Sequence, residues 1–531
     1  MAAKIEHQNL SDSSSDENVG KNPSEDTQHA VVSQKIEFTT EDSSRKDNQE
    51  SRMNDTTKLG DESDKTGLDQ DVTANLPKAP LNKFAVFTVM ILSMTEGFAI
   101  GYMESLVNIF REKGVHSRQL GVVMILVWPF LLGFLGAPLV DKYYFKGFGK
   151  RKTYLLPCKI VIAIGYTILS FYIDNLVNTL QILTIVKWIF VINLVQLFDY
   201  NALLGLRYEL FGSERSDLAA FSLFCGISIG IFCSYSGFVL LNSDYFCKDL
   251  LGIQSGGFIS HQFILLFFAS MNLASAACVC QIEEKTSDQN DAKIMNTLKL
   301  AKLMLTDKVT RRPLFWMAIT SCGVMSLKSS ISLKLIERGI RREHLVMMQA
   351  MSIAGTVVSN FVLKKYMQKG QILTYCGKFL LAYLAFLYID FFNVLNFDPH
   401  KNYSLTIALY LVGLFFEGLC PWGSYQMGFI NSITYEKYAA SYSTTMMALL
   451  NAARILPISL TVTVLDYLWY PLFFVLLNLL NMFSLLYLGN EAKDIDAIPV
   501  TDFHKPVQRL QEEGNPLEVN LVVNEKDDEM L

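Results

Sequence analysis

The chain has 531 residues, of which 51% are hydrophobic and 18% charged, where soluble domains carry roughly a quarter charged. The apolar residues arrive in long blocks, which excludes an ordinary soluble domain and points to an all-α polytopic membrane protein. The net charge of −5 hides a division: residues 1–80 hold 9 Lys+Arg against 17 Asp+Glu and residues 489–531 hold 4 against 11, so the stretch between them is basic.

Residues 1–80, with SDSSSDENVG and GDESDKTGLDQD, are too polar and acidic to bury a core and are expected to form a disordered cytoplasmic tail. The first apolar block begins near Phe84, too late for a signal peptide. Twelve blocks then follow, at 84–108, 117–140, 153–173, 179–203, 217–242, 261–281, 313–336, 343–364, 373–394, 404–427, 438–465 and 469–489. Each is near the ~20 residues that cross a bilayer as a helix. The expected organisation is a six-helix half over 81–281, a cytoplasmic linker over 282–312, a second six-helix half over 313–489 and a disordered tail over 490–531. Within the linker, MNTLKLAKLMLTDKVTRR sets leucines among lysines, as a short helix on the membrane surface does.

Twelve spans put both termini on one side. The loops of that side hold 18 Lys+Arg and the opposite loops 9, so both tails are expected in the cytoplasm. Four of the nine, Lys334, Arg338, Arg341 and Arg342, lie in LKLIERGIRREH at the opposite mouth. They either pair with Glu337 and Glu343 or screen anions entering or leaving.

After the second block comes GAPLVDKYYFKGFGKRK. Its basic residues hold the loop in the cytoplasm, and Asp141 is expected to meet a cation or a neighbouring helix end. Gly147 and Gly149 permit a tight turn. The pattern of Asp141 followed by Gly149, Lys150, Arg151 and Lys152 resembles the signature between the second and third helices of major facilitators. With six spans on each side of the linker, it implies the twelve-helix major facilitator fold, with substrate held near the midplane between two halves.

The resemblance narrows further. VWPFLLGFLGAPLVDKYYFKGFGKRKTYLLP, LKLIERGIRREHL, SDYFC and SYSTTMMALLN are similar to segments of the acetyl-coenzyme A transporter family. That resemblance implies import of acetyl-coenzyme A into the endoplasmic reticulum lumen, in exchange for coenzyme A, by alternating access. The chain departs from the family pattern at three places. FDYNALLGL keeps Asp199 but has Leu203 at a second acidic position and Phe198 at a glutamine. Lys328 stands where the family has an aspartate, and a Gly-Gly-Asn-Trp insertion before Pro457 is absent. Two alternatives stay open: a carrier of another organic anion, as in the related muropeptide permeases, and a non-transporting receptor or scaffold.

Charges inside apolar blocks are costly and mark cavities or partners. They are Glu96 in the first block, Lys187 and Asp199 in the fourth, Lys328 in the seventh, Glu417 in the tenth and Arg454 in the eleventh. The first, fourth, seventh and tenth helices line the cavity of the fold resembled. Lys187, Lys328 and Arg454 would draw phosphates, and Glu96, Asp199 and Glu417 would hold those cations or switch partners. Tyr102, Tyr200, Asn201, Trp422, Tyr425 and Asn451 would stack on a base or bond a ribose. Purely structural readings compete: a Glu96–Lys328 lock, an Asp199–Arg207 pair helped by a bend at Gly205, a Glu417–Arg454 pair, and a snorkelling Lys187.

No nucleophile elbow, P-loop or dinucleotide fingerprint occurs, so no enzyme activity and no cofactor are expected. The nine cysteines are scattered and His344 has no second ligand at metal spacing, so neither a disulfide framework nor a metal site is expected. The expected partners are an anionic small molecule such as acetyl-coenzyme A and the lipid bilayer, with no nucleic acid; the oligomeric state is left open.

Overall fold

A computed structural model describes residues 83–513 except 146, 213–214, 253–256, 285–295, 368–371, 420–421, 436–437 and 465–468. The expected N-terminal tail, most of the linker's first half and residues 514–531 lie outside the described residues.

Helices occupy each expected block. They are α1 (Lys83–Glu112), α2 (Gln119–Lys142), α3 (Lys152–Asn178), α4 (Ile182–Phe211), α5 (Ser216–Asn242) and α6 (His261–Cys280). There follow α7 (Thr297–Thr306), α8 (Lys308–Glu337), α9 (Arg342–Met367), α10 (Ile372–Asn396), α11 (Tyr403–Leu419), α12 (Trp422–Ile433), α13 (Ala439–Val464), α14 (Tyr470–Asp496) and α15 (Val500–Glu513). Among the described residues, nine of these are long and apolar enough to cross a membrane: α1 to α6, α8, α13 and α14. Shorter apolar stretches fall in α10 and α11. The outward faces agree with a lipid surround: Ile160, Ile164, Phe171, Leu472, Leu479 and Leu486 all point away from the body, exposed, as lipid-facing residues do.

The block 404–427 holds α11 and α12, and residues 420–421 between them lie outside the described residues. One expectation is corrected. The tail expected to be disordered from residue 490 instead begins as helix, since α14 runs on to Asp496 and α15 follows. Val500, Phe503 and Val507 recur at helical spacing in α15, and Phe503 and Val507 are buried, so one face is apolar enough to dock despite the acidic composition. The linker helix α7 likewise buries Leu300 and Met304 against the body, while Leu298 and Leu305 face outward.

Helix pairing repeats along the chain. α1 packs on α5 and α3 on α6; after α7, α8 packs on α13 and α10 on α14. The α1–α5 contact is glycine-built. A Cβ on Gly97 would strike the Ile227 carbonyl, and one on Gly226 or Gly230 would strike those of Met90 or Met94. Small residues of this kind let helix backbones approach where lipid offers no hydrophobic drive. Two apolar clusters hold the body together. One gathers the start of α1, the end of α4, Met427, Ile430, Tyr442 and Met446. The other gathers Leu106, Leu120, Ile185, Phe238, Ile331, Leu345 and Val462. Each draws residues from both sides of α7.

Candidate functional site

At the first end, the loop between α2 and α3 folds around Asp141. Its Oδ1 takes a hydrogen bond from Arg151 Nη1 at 3.0 Å, with Lys150 Nζ at 3.8 Å. Its Oδ2 accepts from the N–H and the hydroxyl of Ser441 in α13, at 2.7 and 2.6 Å. Arg151, itself buried, also meets Glu209 at 2.7 Å. Burial opposes the charge on Arg151, but Glu209 and Asp141 outweigh it and hold the guanidinium above its ordinary pKa. Lys150 is pushed down by burial and by neighbouring Arg151, against the pull of Asp141 and the nearby glutamates. Glu284 accepts the N–H groups of Arg151 and Lys152, each at 2.8 Å, where α3 leaves its first donors unpaired. Burial pushes the Glu284 carboxyl up, and those two N–H bonds pull it down. Gly149 has φ +107°, and a Cβ there would lie 2.7 Å from Glu284. Lys152 reaches the Cys280 carbonyl at 3.1 Å. Lys146 lies outside the described residues.

Deeper in α1, α3 and α4 is a dry charged cluster. Asp199 pairs with Lys159 at 2.5 Å, both essentially without exposure. Lys159 also donates to Thr95 at 2.5 Å, and Glu96 Oε2 accepts from Gln196 Nε2 at 2.9 Å. The expected Asp199–Arg207 pair does not form. Arg207 lies eight residues further along the continuous α4, with Nη1 3.4 Å from Met427 Sδ. At Gly205 a Cβ would overlap the Arg151 guanidinium. Sequence reasoning overlooked Lys159, which PCKIV places early in the third block.

The central site is separate. Lys328 Nζ and Glu417 Oε1 lie 2.5 Å apart, at 28% and 18% exposure. This contact replaces both the Glu96–Lys328 lock and the Glu417–Arg454 pair among the competing expectations. Arg454 instead donates to Asn451 Oδ1 at 2.9 Å. Glu104, missed in the sequence, faces Lys328, Glu417 and Arg454. It is exposed although helices surround it, which marks an internal cavity rather than a dry core. Its wall continues with Asn108, which donates to the Tyr235 hydroxyl at 2.8 Å. Tyr235 sits in a π-helical turn of α5, Phe232–Gly237; such turns re-aim side chains at functional places. A narrow cleft beside the pair is lined by Lys328, Tyr383, Asp390, Tyr410 and Glu417.

Other expected site residues fall elsewhere. Lys187 is on the exposed face of α4, away from this cavity, which fits a stem lying along lipid. Tyr102 is buried with its hydroxyl 3.2 Å from His261 Nδ1. Asn201 donates to the Gly133 carbonyl at 2.8 Å. The side chains of Trp422 and Tyr425 lie outside the described residues.

At the second end, Lys334 meets Glu337 at 2.8 Å and Arg342 meets both Glu343 at 3.2 Å and Glu112. Glu343 takes the Ser243 hydroxyl at 2.7 Å. Arg338 donates to the Val394 and Leu395 carbonyls, and Arg341 lies 4.1 Å from the Tyr245 ring centre. The four cations of this mouth are therefore engaged with the protein. His344 Nδ1 is 2.6 Å from the Tyr403 hydroxyl. Among the described residues no cluster has the makings of a metal site.

A two-ended body with paired helices and a charged interior cavity defines a multi-pass membrane protein of the major facilitator fold. The crystal structure of the human organic anion transporter MFSD10 (TETRAN) is similar in fold, with TM-score 0.53 and 13% identity, covering 77% of this chain and 100% of that chain. FucP, a major facilitator superfamily transporter solved in the outward conformation, gives TM-score 0.48 and 13% identity over 77% of this chain and 98% of its own. Residues 85–297 match the family model described as acetyl-coenzyme A transporter 1. An uncharacterized Schizosaccharomyces pombe protein is 24% identical over 279 residues, 51% of this chain and 54% of that one. An uncharacterized Saccharomyces cerevisiae membrane protein is 19% identical over 348 residues, 55% of this chain and 62% of its own. The chain thus spans little more than half the length of these curated relatives. The family and the solved neighbours are transporters, not enzymes.

Proposed function

We propose that the chain carries acetyl-coenzyme A across the endoplasmic reticulum membrane into the lumen, in exchange for coenzyme A. In this reading residues 81–281 and 313–489 are two six-helix halves that rock about a central site, and both termini are cytoplasmic. The family match over 85–297 supports the substrate class. The observation that carries the mechanism is the Lys328–Glu417 pair, facing Glu104 and, through it, Arg454.

Lys328 and Arg454 are the cations able to meet phosphates there, and each is held by a neutral or acidic neighbour that an anion can replace. A phosphate arriving at Lys328 takes over the contact now made by Glu417, a charge-assisted bond of similar strength. The freed carboxylates of Glu417 and Glu104 then repel the bound anion. Affinity stays moderate and release becomes possible, as a carrier needs.

The seals supply the alternation. Asp141–Ser441 at one end and Ser243–Glu343 at the other join segments from both sides of α7. Opening either end means breaking one set while the other holds. The basic loop around Lys150, Arg151 and Lys152 lies on the cytoplasmic side in this orientation.

The test is uptake of labelled acetyl-coenzyme A into proteoliposomes. Uptake stimulated by coenzyme A inside, and untouched by muropeptide competitors outside, supports the reading. Uptake blocked by muropeptides, or movement of some other anion alone, replaces the substrate. No transport of any anion favours a receptor or scaffold.

A further inference from the structure

The dry cluster of α1, α3 and α4 contains more negative charge than it can hold unaided. Two carboxyl groups, Glu96 at 2% exposure and Asp199 at 0%, share one cation, Lys159 at 1%. Lys159 Nζ lies 2.5 Å from Asp199 Oδ2 as an ion pair, and Gln196 donates to Glu96 Oε2. The other oxygen of each carboxyl, Glu96 Oε1 and Asp199 Oδ1, has no hydrogen-bond partner, and neither has Gln196 Oε1. The two carboxyl groups lie within hydrogen-bonding reach of each other. Two adjacent acceptors buried without a donor are costly, and two adjacent carboxylates cannot both stay ionised in such a place. One proton answers both difficulties.

We propose that Glu96 and Asp199 form a single-proton site, the proton bridging Glu96 Oε1 and Asp199 Oδ1 beside the Lys159 ammonium, and that holding this proton favours the closed state. With it the cluster is electrically neutral: one carboxylate, one carboxylic acid, one ammonium. Without it a net negative charge is buried among apolar helices. The proton leaves when the two halves part and water reaches the face of the first half behind which the cluster lies, and returns before the body recloses.

The other groups facing the cluster do not replace this proton. Thr95 is occupied by Lys159. Tyr166 of α3 and Tyr200 of α4 face Glu96, and Cys158 of α3 faces Asp199 and Lys159. These three are neutral and add no cation. Across the glycine contact, α5 brings Ile227, Gly226 and Gly230 and no charge. Tyr200 also faces Arg207 and Arg454.

Because the site does not depend on acetyl-coenzyme A being the substrate, its test needs no substrate. Infrared spectra of the purified full chain in lipid nanodiscs should show a protonated-carboxyl stretch at neutral pH. It should shift in heavy water and be lost in Glu96→Gln and in Asp199→Asn, each of which keeps the shape of the group it replaces. Glu104→Gln should leave that band in place. Persistence of the band in both Glu96→Gln and Asp199→Asn overturns the site. For the conformational part, spin labels at positions 148 and 500, both exposed, are placed on a cysteine-depleted chain. Their short-distance population should rise as pH falls in the wild type and be independent of pH in Glu96→Gln. An equal pH response in both, or none in the wild type, overturns the coupling to closure.

Discussion

Asp141 and Ser441, three hundred residues apart, are joined by two hydrogen bonds to one carboxylate oxygen, from the Ser441 N–H at 2.7 Å and its hydroxyl at 2.6 Å. Arg151 holds the other oxygen at 3.0 Å. The loop of basic residues after α2 is thus a clasp. Its aspartate reaches across to α13 while its arginine ties it to Glu209 on α4. Removing one member of such a buried charged set leaves the rest unpaired, at a cost of about 3–5 kcal/mol. Asp141→Ala should therefore lower the thermal midpoint markedly, and Ser441→Ala, which keeps the backbone bond, by a cost of only about 1 kcal/mol. Equal midpoints for Asp141→Ala and wild type would remove the clasp from the account.

Gly205 offers a steric check on the same clasp. A Cβ at this position overlaps the Arg151 guanidinium, so Gly205→Ala should push Arg151 off Glu209. Overpacking of this sort costs about 1–3 kcal/mol. In the background of Arg151→Ala the same substitution should cost little. If the two changes prove additive in unfolding measurements, Gly205 serves another purpose.

Lys328 and Glu417 give a transport prediction with opposite signs. Lys328→Met should reduce acetyl-coenzyme A uptake at least tenfold, chiefly through a raised KM, because the phosphate loses its cation. Glu417→Gln frees Lys328 and should lower KM. A pure lock between α8 and α11 would instead impair both single variants and recover in the Lys328→Met, Glu417→Gln double variant. Kinetics on the three proteins decide between them.

The docking of α15 should depend on pH. His504 stands 5.3 Å from the Tyr435 ring. Burial depresses its pKa below the ordinary 6.5, against a hydrogen bond to the Ile433 carbonyl. A histidine depressed in the folded state contributes its stability fully above the unfolded value and loses it as pH falls below that value. The protection factors of α15 amides, taken relative to the intrinsic exchange rate at each pH, should accordingly fall between neutral pH and about pH 5, and His504→Gln should abolish the change. Protection factors that are flat with pH in the wild type would refute the burial argument.

For the proposed orientation, cysteine reporters at positions 30 and 510 should be labelled from the cytoplasmic side alone. Labelling of either from the lumen would reject it.

Much of this architecture was readable from the chain. Span positions follow from apolar length, and a cationic partner for Asp141 follows from the basic run beside it. Partner identities were less accessible. Asp199 was matched to Arg207, eight residues away, whereas its cation, Lys159, lies on another helix; sequence distance carries no information about which helix faces which. Glu104 lies inside the first block and was passed over, because the sequence does not show that it faces Lys328 and Glu417 on other helices. The acidic residues around Val500, Phe503 and Val507 concealed a helical stripe, because net composition says nothing about which face is apolar. Lys187 has the composition of a cavity charge and the placement of a lipid-facing one.

The most direct measurement is a structure of the full chain with acetyl-coenzyme A bound. The account predicts phosphate oxygens about 3 Å from Lys328 Nζ and the Arg454 guanidinium, with Glu417 displaced from Lys328. Acetyl-coenzyme A bound elsewhere, with the Lys328–Glu417 contact intact, would contradict it.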